Sequence, residues 1–330
     1  MSDTDALARL AVWPRVSLAH LPTRLLPVPR LAERIGCRKL YVKMDAESGF
    51  ALGGNKVRKL EFELIPERLE GITHLITAGG AQSNHCRLTA AFAARAGLKC
   101  VLVTVGPEPE SPTGNALLHR LFGAEILTVP EREDRTPAMD VLARRIAAEG
   151  GRALIIPIGA STGLGSLGYA SAALELLEQL DALDDGADST LLFGSTSSCG
   201  TFAGLLLGLT LAGRADVQLI GVSADAPASE ITSATLKIAV DGARLLGTSL
   251  GLTPAPLHSM DSQIGAGYGI PTSASIEATD IFGRFAGIVL DPTYTSKAAA
   301  GMIEWLERKG VEKRRRVVFL HTGGAPGLLS

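Results

Sequence analysis

Cysteine is scarce in this chain and poorly spaced for pairing. Cys37, Cys86, Cys100 and Cys199 form no C-x-x-C and no paired pattern, which argues against a disulfide framework and against a thiolate zinc site, so no metal is expected. An excess of one charge is also missing: 32 Lys and Arg face 34 Asp and Glu, a net charge of −2. That balance offers no footprint for nucleic acid and no attraction to an anionic membrane. The one basic cluster, Lys313 to Arg316, precedes the apolar run Val317 to Leu320 and reads as a solvated loop before a strand. No apolar run is long enough to span a bilayer, and Met1 to Arg15 holds acidic residues but no hydrophobic stretch of the signal-peptide kind. A cytoplasmic protein in reducing surroundings is expected, without nucleic-acid or membrane partners.

The chain does have apolar bulk: 46% of its 330 residues are hydrophobic. A chain of that length exceeds the usual single-core limit, so two lobes are expected. Short apolar runs alternate with longer helical patterns. Strands are predicted at Leu40–Met44, Leu75–Ala78, Cys100–Val105, Ile126–Val129, Ala153–Pro157, Thr190–Phe193, Val217–Val222, Gly287–Leu290 and Val317–Leu320. Helices are predicted at Lys56–Leu69, Asn84–Ala96, Gly114–Phe122, Ala138–Glu149 and Gly165–Leu180. Alternation of this kind predicts an α/β fold with parallel sheets and helical crossovers. Ligands gather in such folds where strand C-termini meet helix N-termini.

Three of those junctions ask for an anion. In Gly53-Gly54-Asn55-Lys56-Val57-Arg58-Lys59, three cations crowd the first turn of a predicted helix. The helix dipole disfavours them there by about 0.3–1 kcal/mol each, unless a bound anion reverses the balance. The same positive end would lower a lysine pKa and favour an amine nucleophile. The alternative is a helix that begins elsewhere, its charges merely solvated. Gly79-Gly80-Ala81-Gln82-Ser83-Asn84-His85 follows a strand, with Ser83 placed to cap the next helix. His85 alone reads more simply as a packed histidine. Gly194 to Thr201 brings glycines and small hydroxyls to another helix start, a phosphate cradle or a plain polar loop. His321-Thr322-Gly323-Gly324 follows a further strand at the same predicted edge. Two other segments are decoys. Gly163 to Gly168 matches G-x-G-x-x-G, but several residues separate it from its strand and no acidic strand end follows at the required distance. Gly49 to Lys56 fails the register of a P-loop.

Read in order, GGNKVRKLEF at 53–62, ITAGGAQSNHCRLTAAFAARAGLKC at 76–100, IPIGASTGLGSLGY at 156–169, GAGYGIPT at 265–272, LDPTYTSKAAAGMI at 290–303 and FLHTGGAPGLL at 319–329 resemble the D-cysteine desulfhydrase and 1-aminocyclopropane-1-carboxylate deaminase family. That family is of the tryptophan-synthase-β type of pyridoxal-phosphate enzymes. The resemblance implies two open parallel-sheet lobes with helices on both faces and the cofactor in the cleft between them (fold type II). It implies a large lobe of residues 1–52 plus 170–330 and a small one of 53–169. Lys56 matches the lysine that carries pyridoxal 5′-phosphate, Lys59 a phosphate contact, and Asn84 the partner of the pyridoxal 3′-oxygen. Ser198, Cys199, Gly200 and Thr201 match the phosphate cup, and Thr295 the position facing the ring nitrogen. Gln82, Ser83 and His85 match the substrate-carboxylate loop, with Ser83 also placed for proton transfer. Tyr268 and Tyr294 match two active-site tyrosines, while Thr322 and Gly323 fall on the substrate side.

The resemblance also separates activities. Deaminases of the family carry Glu at position 295 and Leu at 322, where this chain has Thr295 and Thr322. A neutral residue at the ring nitrogen makes a weaker electron sink, which suits β-elimination better than opening an unactivated ring. Met44, Ala46 and Ser197 also depart from the family pattern, which leaves the substrate less fixed than the cofactor. The expected function is therefore β-elimination on a small β-substituted amino acid, foremost D-cysteine to pyruvate, sulfide and ammonia, by a homodimer. The alternatives are 1-aminocyclopropane-1-carboxylate deamination, L-cysteate sulfo-lyase activity, a non-catalytic amino-acid binder, and a nucleotide-dependent dehydrogenase using Gly163 to Gly168.

Overall fold

The β/α alternation folds into two separate sheets. The structure, a computed structural model, describes residues 2–107, 109–250 and 256–330. Along the chain run α1 (Asp3–Ala11), β1 (Leu25–Pro27), α2 (Pro29–Arg34), β2 (Leu40–Lys43), α3 (Lys56–Glu63), α4 (Pro66–Leu69), β3 (His74–Gly79), α5 (Asn84–Ala96), β4 (Lys99–Val105), α6 (Gly114–Leu121) and β5 (Glu125–Val129). They continue with α7 (Arg135–Ala148), β6 (Ala153–Ile155), α8 (Gly163–Asp181), β7 (Ser189–Thr196), α9 (Gly200–Leu211), β8 (Val217–Ser223), α10 (Ala228–Leu245), β9 (Leu257–Met260), α11 (Ser273–Ala286), α12 (Thr295–Lys309) and β10 (Arg315–Leu320).

One sheet has four strands in the order β5-β4-β3-β6, and the other has six in the order β1-β2-β10-β7-β8-β9. Every pairing is parallel except β1 with β2 at one edge. Strand alternation sends side chains to opposite faces, and helices cover both. In the smaller sheet, Leu75, Cys100 and Leu102 meet α3 and α5, while Ile76, Ala78, Val101 and Val103 meet α7. In the larger one, Phe193, Ile220 and Phe319 pack under α11 and α12, while Leu192, Leu219 and Val318 pack under α8 and α9.

Three sequence expectations change. Residues 287–290 form no strand. Ile288 and Leu290 are buried and Val289 is exposed, so the period-two signal is real, but among the described residues no neighbouring strand supplies a ladder. The helix expected over Lys56–Leu69 is two, because Pro66 cannot continue α3 and opens α4 at its first position. Arg316 is not solvated: it lies within β10, buried, donating to Asp185 at 2.8 Å and to the Leu180 carbonyl at 3.1 Å.

The Gly163–Gly168 segment is the first turns of α8, not a nucleotide loop. A Cβ on Gly168 would sit 2.0 Å from the Arg58 carbonyl oxygen, so this glycine lets α3 and α8 touch backbone to backbone. Gly204 of α9 plays the same part against Ser166 of α8. Among the described residues no helix is long and apolar enough to cross a membrane.

Candidate active site

Parallel pairing aims β3, β7, β8 and β10 so that the turns after them converge on one cavity of about 460 Å³, ordinary for a small-molecule site. It is lined by Asn55 ahead of α3 and Lys56 at its start, Ser83, Asn84 and His85 after β3, and Ser195 to Cys199 with Thr201 after β7. Asp225 after β8, Thr322 and Gly323 after β10, and Tyr268, Tyr294, Arg132 and Arg135 complete the wall.

Glycine brings the segments into register. A Cβ on Gly323 would lie 2.9 Å from the Gly54 Cα, so the C-terminal turn can rest directly on the loop that carries Lys56. The Asn55 amide donates to the Thr322 carbonyl at 2.9 Å across that contact. Asn55, which sequence reasoning did not single out, also joins two functional groups. Its Nδ2 donates to Thr201 Oγ1 at 2.9 Å, and its Oδ1 accepts from Lys56 Nζ at 3.0 Å. That is the Lys56 ammonium's one hydrogen bond among the described residues, and no carboxylate pairs with it. Burial, with Arg87 nearby and only Asp291 opposing, lowers its pKa to about 8.

The turn after β7 has the character of an anion cradle. Cys199 at φ +64° turns the chain into α9 without capping it by its own side chain; Ser161 takes the Gly200 amide, and the next N–H groups of the first turn stand beside the Ser198 and Thr201 hydroxyls. Thr196 Oγ1 is buried at the cavity wall with no oxygen or nitrogen partner among the described residues, only the Cys199 thiol beside it. A Cβ on Gly159 would strike Ser198 Oγ at 2.4 Å, and one on Gly200 would strike Ser161 Oγ at 2.7 Å. Ser161 ties the cradle together: it donates to Ser198 Oγ at 2.8 Å and accepts from Lys59 Nζ and the Gly200 amide, both at 3.2 Å. Lys59 is fully buried, and burial beside Lys56 pushes its pKa well down. A phosphate here would answer the orphaned hydroxyl, the open helix end and the second lysine together, so the residues fit a phosphorylated aldehyde whose carbonyl meets Lys56.

On the opposite side, Ser83 caps α5 by accepting from the Cys86 amide at 3.2 Å, and Gly79 is required because a Cβ would lie 2.5 Å from Ser83 Oγ. His85 is buried and hydrogen-bonds Thr77 Oγ1 at 2.8 Å. Burial, Lys56 and Lys59 keep it neutral. The Tyr268 and Tyr294 hydroxyls hydrogen-bond each other directly, with ring centroids 5.8 Å apart. Burial raises both phenols, Tyr294 well above its ordinary value. The Arg132 guanidinium lies 4.7 Å from the Tyr268 ring centre and 3.7 Å from Asp225.

Most of the residues expected from sequence meet at this wall: Lys56, Ser83, Asn84, His85, Ser198, Cys199, Thr201, Tyr268, Tyr294, Thr322 and Gly323. Four do not line it. Lys59 and Gly200 lie one hydroxyl behind, through Ser161. Gln82 spends its Oε1 on the Asn115 amide at 2.8 Å and its Nε2 on the Thr113 carbonyl at 3.1 Å, anchoring α6. Thr295 is fully buried, its hydroxyl donating to Asp291 Oδ1 at 2.7 Å. Arg132 and Arg135 escaped sequence reasoning because Glu131 to Arg135 reads as an ordinary solvated charge run. Asp225 carried a usable signal, since it closely follows a strand at the ligand-binding edge.

The family described as "Pyridoxal-phosphate dependent enzyme" matches residues 16–323. D-cysteine desulfhydrase of Salmonella typhi is 38% identical over 330 residues, covering 98% of each chain, as is that of Salmonella newport (strain SL254). A crystal structure of an ACC deaminase homologue superposes with a TM-score of 0.87 at 30% identity, covering 98% of this chain and 96% of that one. Threonine deaminase isoform 2 from Solanum lycopersicum, at 16% identity and a TM-score of 0.66 over 98% of this chain and 84% of its own, shares the fold.

Proposed function

This chain belongs to the pyridoxal-phosphate-dependent enzyme family and is a lyase that uses that cofactor, and we propose that its reaction is β-elimination from D-cysteine, giving pyruvate, sulfide and ammonia. The observation that carries this reading is the cavity itself: an unpaired lysine amine, an anion cradle and a hydroxyl pair on one wall, in a chain 38% identical over its length to D-cysteine desulfhydrases.

When bound, pyridoxal phosphate supplies delocalisation of the charge left at Cα after proton removal. Lys56, Asn84, Ser198, Cys199 and Thr201 would hold it directly, with Lys59 and Gly200 acting through Ser161. With a pKa of about 8, about a tenth of the Lys56 amines are neutral at pH 7. That fraction can attack a carbonyl and, once freed, take the Cα proton. The N-terminus of α5 with the Ser83 hydroxyl receives the substrate carboxylate, and neutral His85 adds no charge to that contact. The hydrogen-bonded phenols of Tyr268 and Tyr294 are positioned to pass a proton to the departing sulfur, and the Thr322 hydroxyl, 3.2 Å from Ser195 Oγ, orients the substrate's far side. No carboxylate from residues 291–295 lines the cavity. That favours a good leaving group over ring opening.

Arg132 and Arg135 at the wall support a second reading, an anionic β-substituent such as the sulfonate of L-cysteate. One panel separates the two: both cysteine enantiomers, cysteate, β-chloroalanine and the cyclopropane amino acid, assayed for keto acid, sulfide and sulfite. Sulfide and pyruvate from D-cysteine are expected. Turnover of cysteate alone, with release of sulfite, rejects the first reading. We extend the proposal to a cytoplasmic homodimer divided as 1–52 plus 170–330 and 53–169. The exposed Leu117, Leu121, Leu328 and Leu329 supply apolar surface for the dimer contact, and sedimentation at twice the chain mass is the expected result.

A further inference from the structure

Arg87 is fully buried on α5 and has no carboxylate partner among the described residues. Its acceptors are three carbonyl oxygens. Nη1 donates to Asn84 Oδ1 and to Asn115 Oδ1, each at 2.8 Å, and Nη2 donates to the Gly53 carbonyl at 2.7 Å. Asn115, also fully buried, donates its Nδ2 to Asn84 Oδ1 at 3.0 Å and to the Gln82 carbonyl at 2.8 Å. Two donors therefore fill both lone pairs of the Asn84 carbonyl. The amide orientation of Asn84 is fixed by this network, with Oδ1 turned inward and the Nδ2 hydrogens left for the cavity that Asn84 lines.

Burying a guanidinium without a counter-ion carries a strongly unfavourable cost. Amide and carbonyl oxygens repay only part of it, so the arrangement calls for negative charge close by. Arg87 also touches two segments at once. Gly53 opens the loop that presents Lys56, and Asn84 opens the helix across the cavity. In a lysine-bound pyridoxal the imine nitrogen and the phenolic oxygen are neighbours that share one proton.

We propose that Arg87 and Asn115 are positioning residues: they clamp Asn84 so that Nδ2 donates to the cofactor's phenolic oxygen, and they hold that donor at a fixed spacing from Lys56. The inference rests on the reading of Asn84 as the phenolic-oxygen partner. Gln82 then belongs to the clamp's foundation rather than to substrate binding, because both ends of its side chain hold α6 and Asn115.

The readout is the pH midpoint at which the visible band of the cofactor-loaded protein titrates, together with its melting temperature. A donor on the phenolic oxygen draws off negative charge and weakens its hold on the shared proton. Losing the donor therefore raises the midpoint, by about one pH unit for a single hydrogen bond to a charged oxygen. Asn84→Ala is expected to show that full rise. Asn115→Leu, which leaves Asn84 in place but frees its amide to turn, is expected to show a rise in the same direction of at least half that size. Arg87→Met is expected to match or exceed it. If Arg87→Met does not fold, Asn115→Leu decides alone. A rise in Asn84→Ala with a wild-type midpoint in Asn115→Leu overturns the clamp while leaving the Asn84 reading intact. A wild-type midpoint in Asn84→Ala overturns that reading, and the clamp falls with it. A lowered melting temperature without a changed midpoint in Asn115→Leu marks a merely structural role and also rejects the clamp.

Discussion

Lys56 and Arg58 stand on the same turn of α3, yet their charges meet opposite surroundings. Arg58 points into a closed cluster beneath the helix. Its Nε and Nη2 hold Asp45 at 2.9 and 3.0 Å, and its Nη1 and Nη2 hold Glu175 at 3.0 and 2.8 Å. Lys43 reaches Glu175 as well, and Tyr169 donates to Asp45. Two cations there balance two carboxylates. On the cavity side, Lys56, Lys59 and Arg87 have no carboxylate within hydrogen-bond reach among the described residues. A matched buried charge ties β2, α3 and α8 together. An unmatched one is a cost that folding alone does not repay, and it marks where a ligand supplies the missing charge.

The largest effect that can break this comparison is on turnover. Lys56→Ala is expected to abolish the visible absorbance of the cofactor and to lower turnover by about 10³-fold or more. The melting temperature of the cofactor-free protein should stay level or rise, since a penalised charge has gone. A steep loss of stability would show Lys56 to be structural. Arg58→Met should do the reverse. Breaking the buried pair strands Asp45 and Glu175 and costs about 3–5 kcal/mol in denaturant titrations. Activity per folded molecule should change far less than in Lys56→Ala.

Sequence reasoning reached one of these clusters and misread the other. The three cations of α3 were visible as a conflict with the helix dipole, and the structure puts Lys56 at the cavity wall with no carboxylate bonded to it among the described residues. Nothing local says that Arg58 turns away, because its partners lie far off in sequence, Asp45 before the helix and Glu175 on α8. The α5 start was legible to the residue, since Ser83 caps it and the glycines before it permit the turn. Gln82 was not: its side chain answers α6, a helix brought close only by the fold. Residues 287–290 mislead for a related reason, since alternation reports which face is buried and not whether a strand lies alongside. Thr295 keeps its hydroxyl for Asp291, a local bond that a motif comparison does not display.

The two clusters should also leave opposite marks on the pH dependence of the cofactor-free protein. Burial alone would raise Asp45 and Glu175, but Arg58 holds both below their ordinary values. Their stabilisation is present above the unfolded carboxylate range and is lost as pH falls through the folded values. Lys56 runs the other way. Its folded pKa of about 8 lies below the ordinary 10.5, so between those values the unfolded chain holds the extra proton and stability rises with pH. The gain is on the order of 1–3 kcal/mol. Lys59, pushed down by burial and by Lys56, adds to the same rise, so Lys56→Met should shrink the alkaline rise and keep the acid loss. An alkaline rise of unchanged size would assign it to Lys59 or another group and not to Lys56.

Ser161 belongs to the unmatched side, behind the cavity wall, and should show the smallest effect. It accepts from Lys59 and from the Gly200 amide while donating to Ser198, so it relays a buried ammonium to a helix end without touching Arg58. Ser161→Ala deletes one hydroxyl and leaves the Lys59 charge in place with no hydrogen-bond acceptor among the described residues. In the cofactor-free protein this costs about 1 kcal/mol or less, because the cradle's hydroxyls can reorganise or take up water. With the phosphate bound, Lys59 loses its relay and the cradle loses its alignment. Cofactor affinity should therefore fall by roughly tenfold, a difference of about 1.4 kcal/mol. Equilibrium dialysis of pyridoxal phosphate against wild type and variant measures it. Unchanged affinity with an equally small stability loss would move Lys59 out of the cofactor's reach and into the core, leaving Lys56 and Arg87 as the unmatched charge of the cavity.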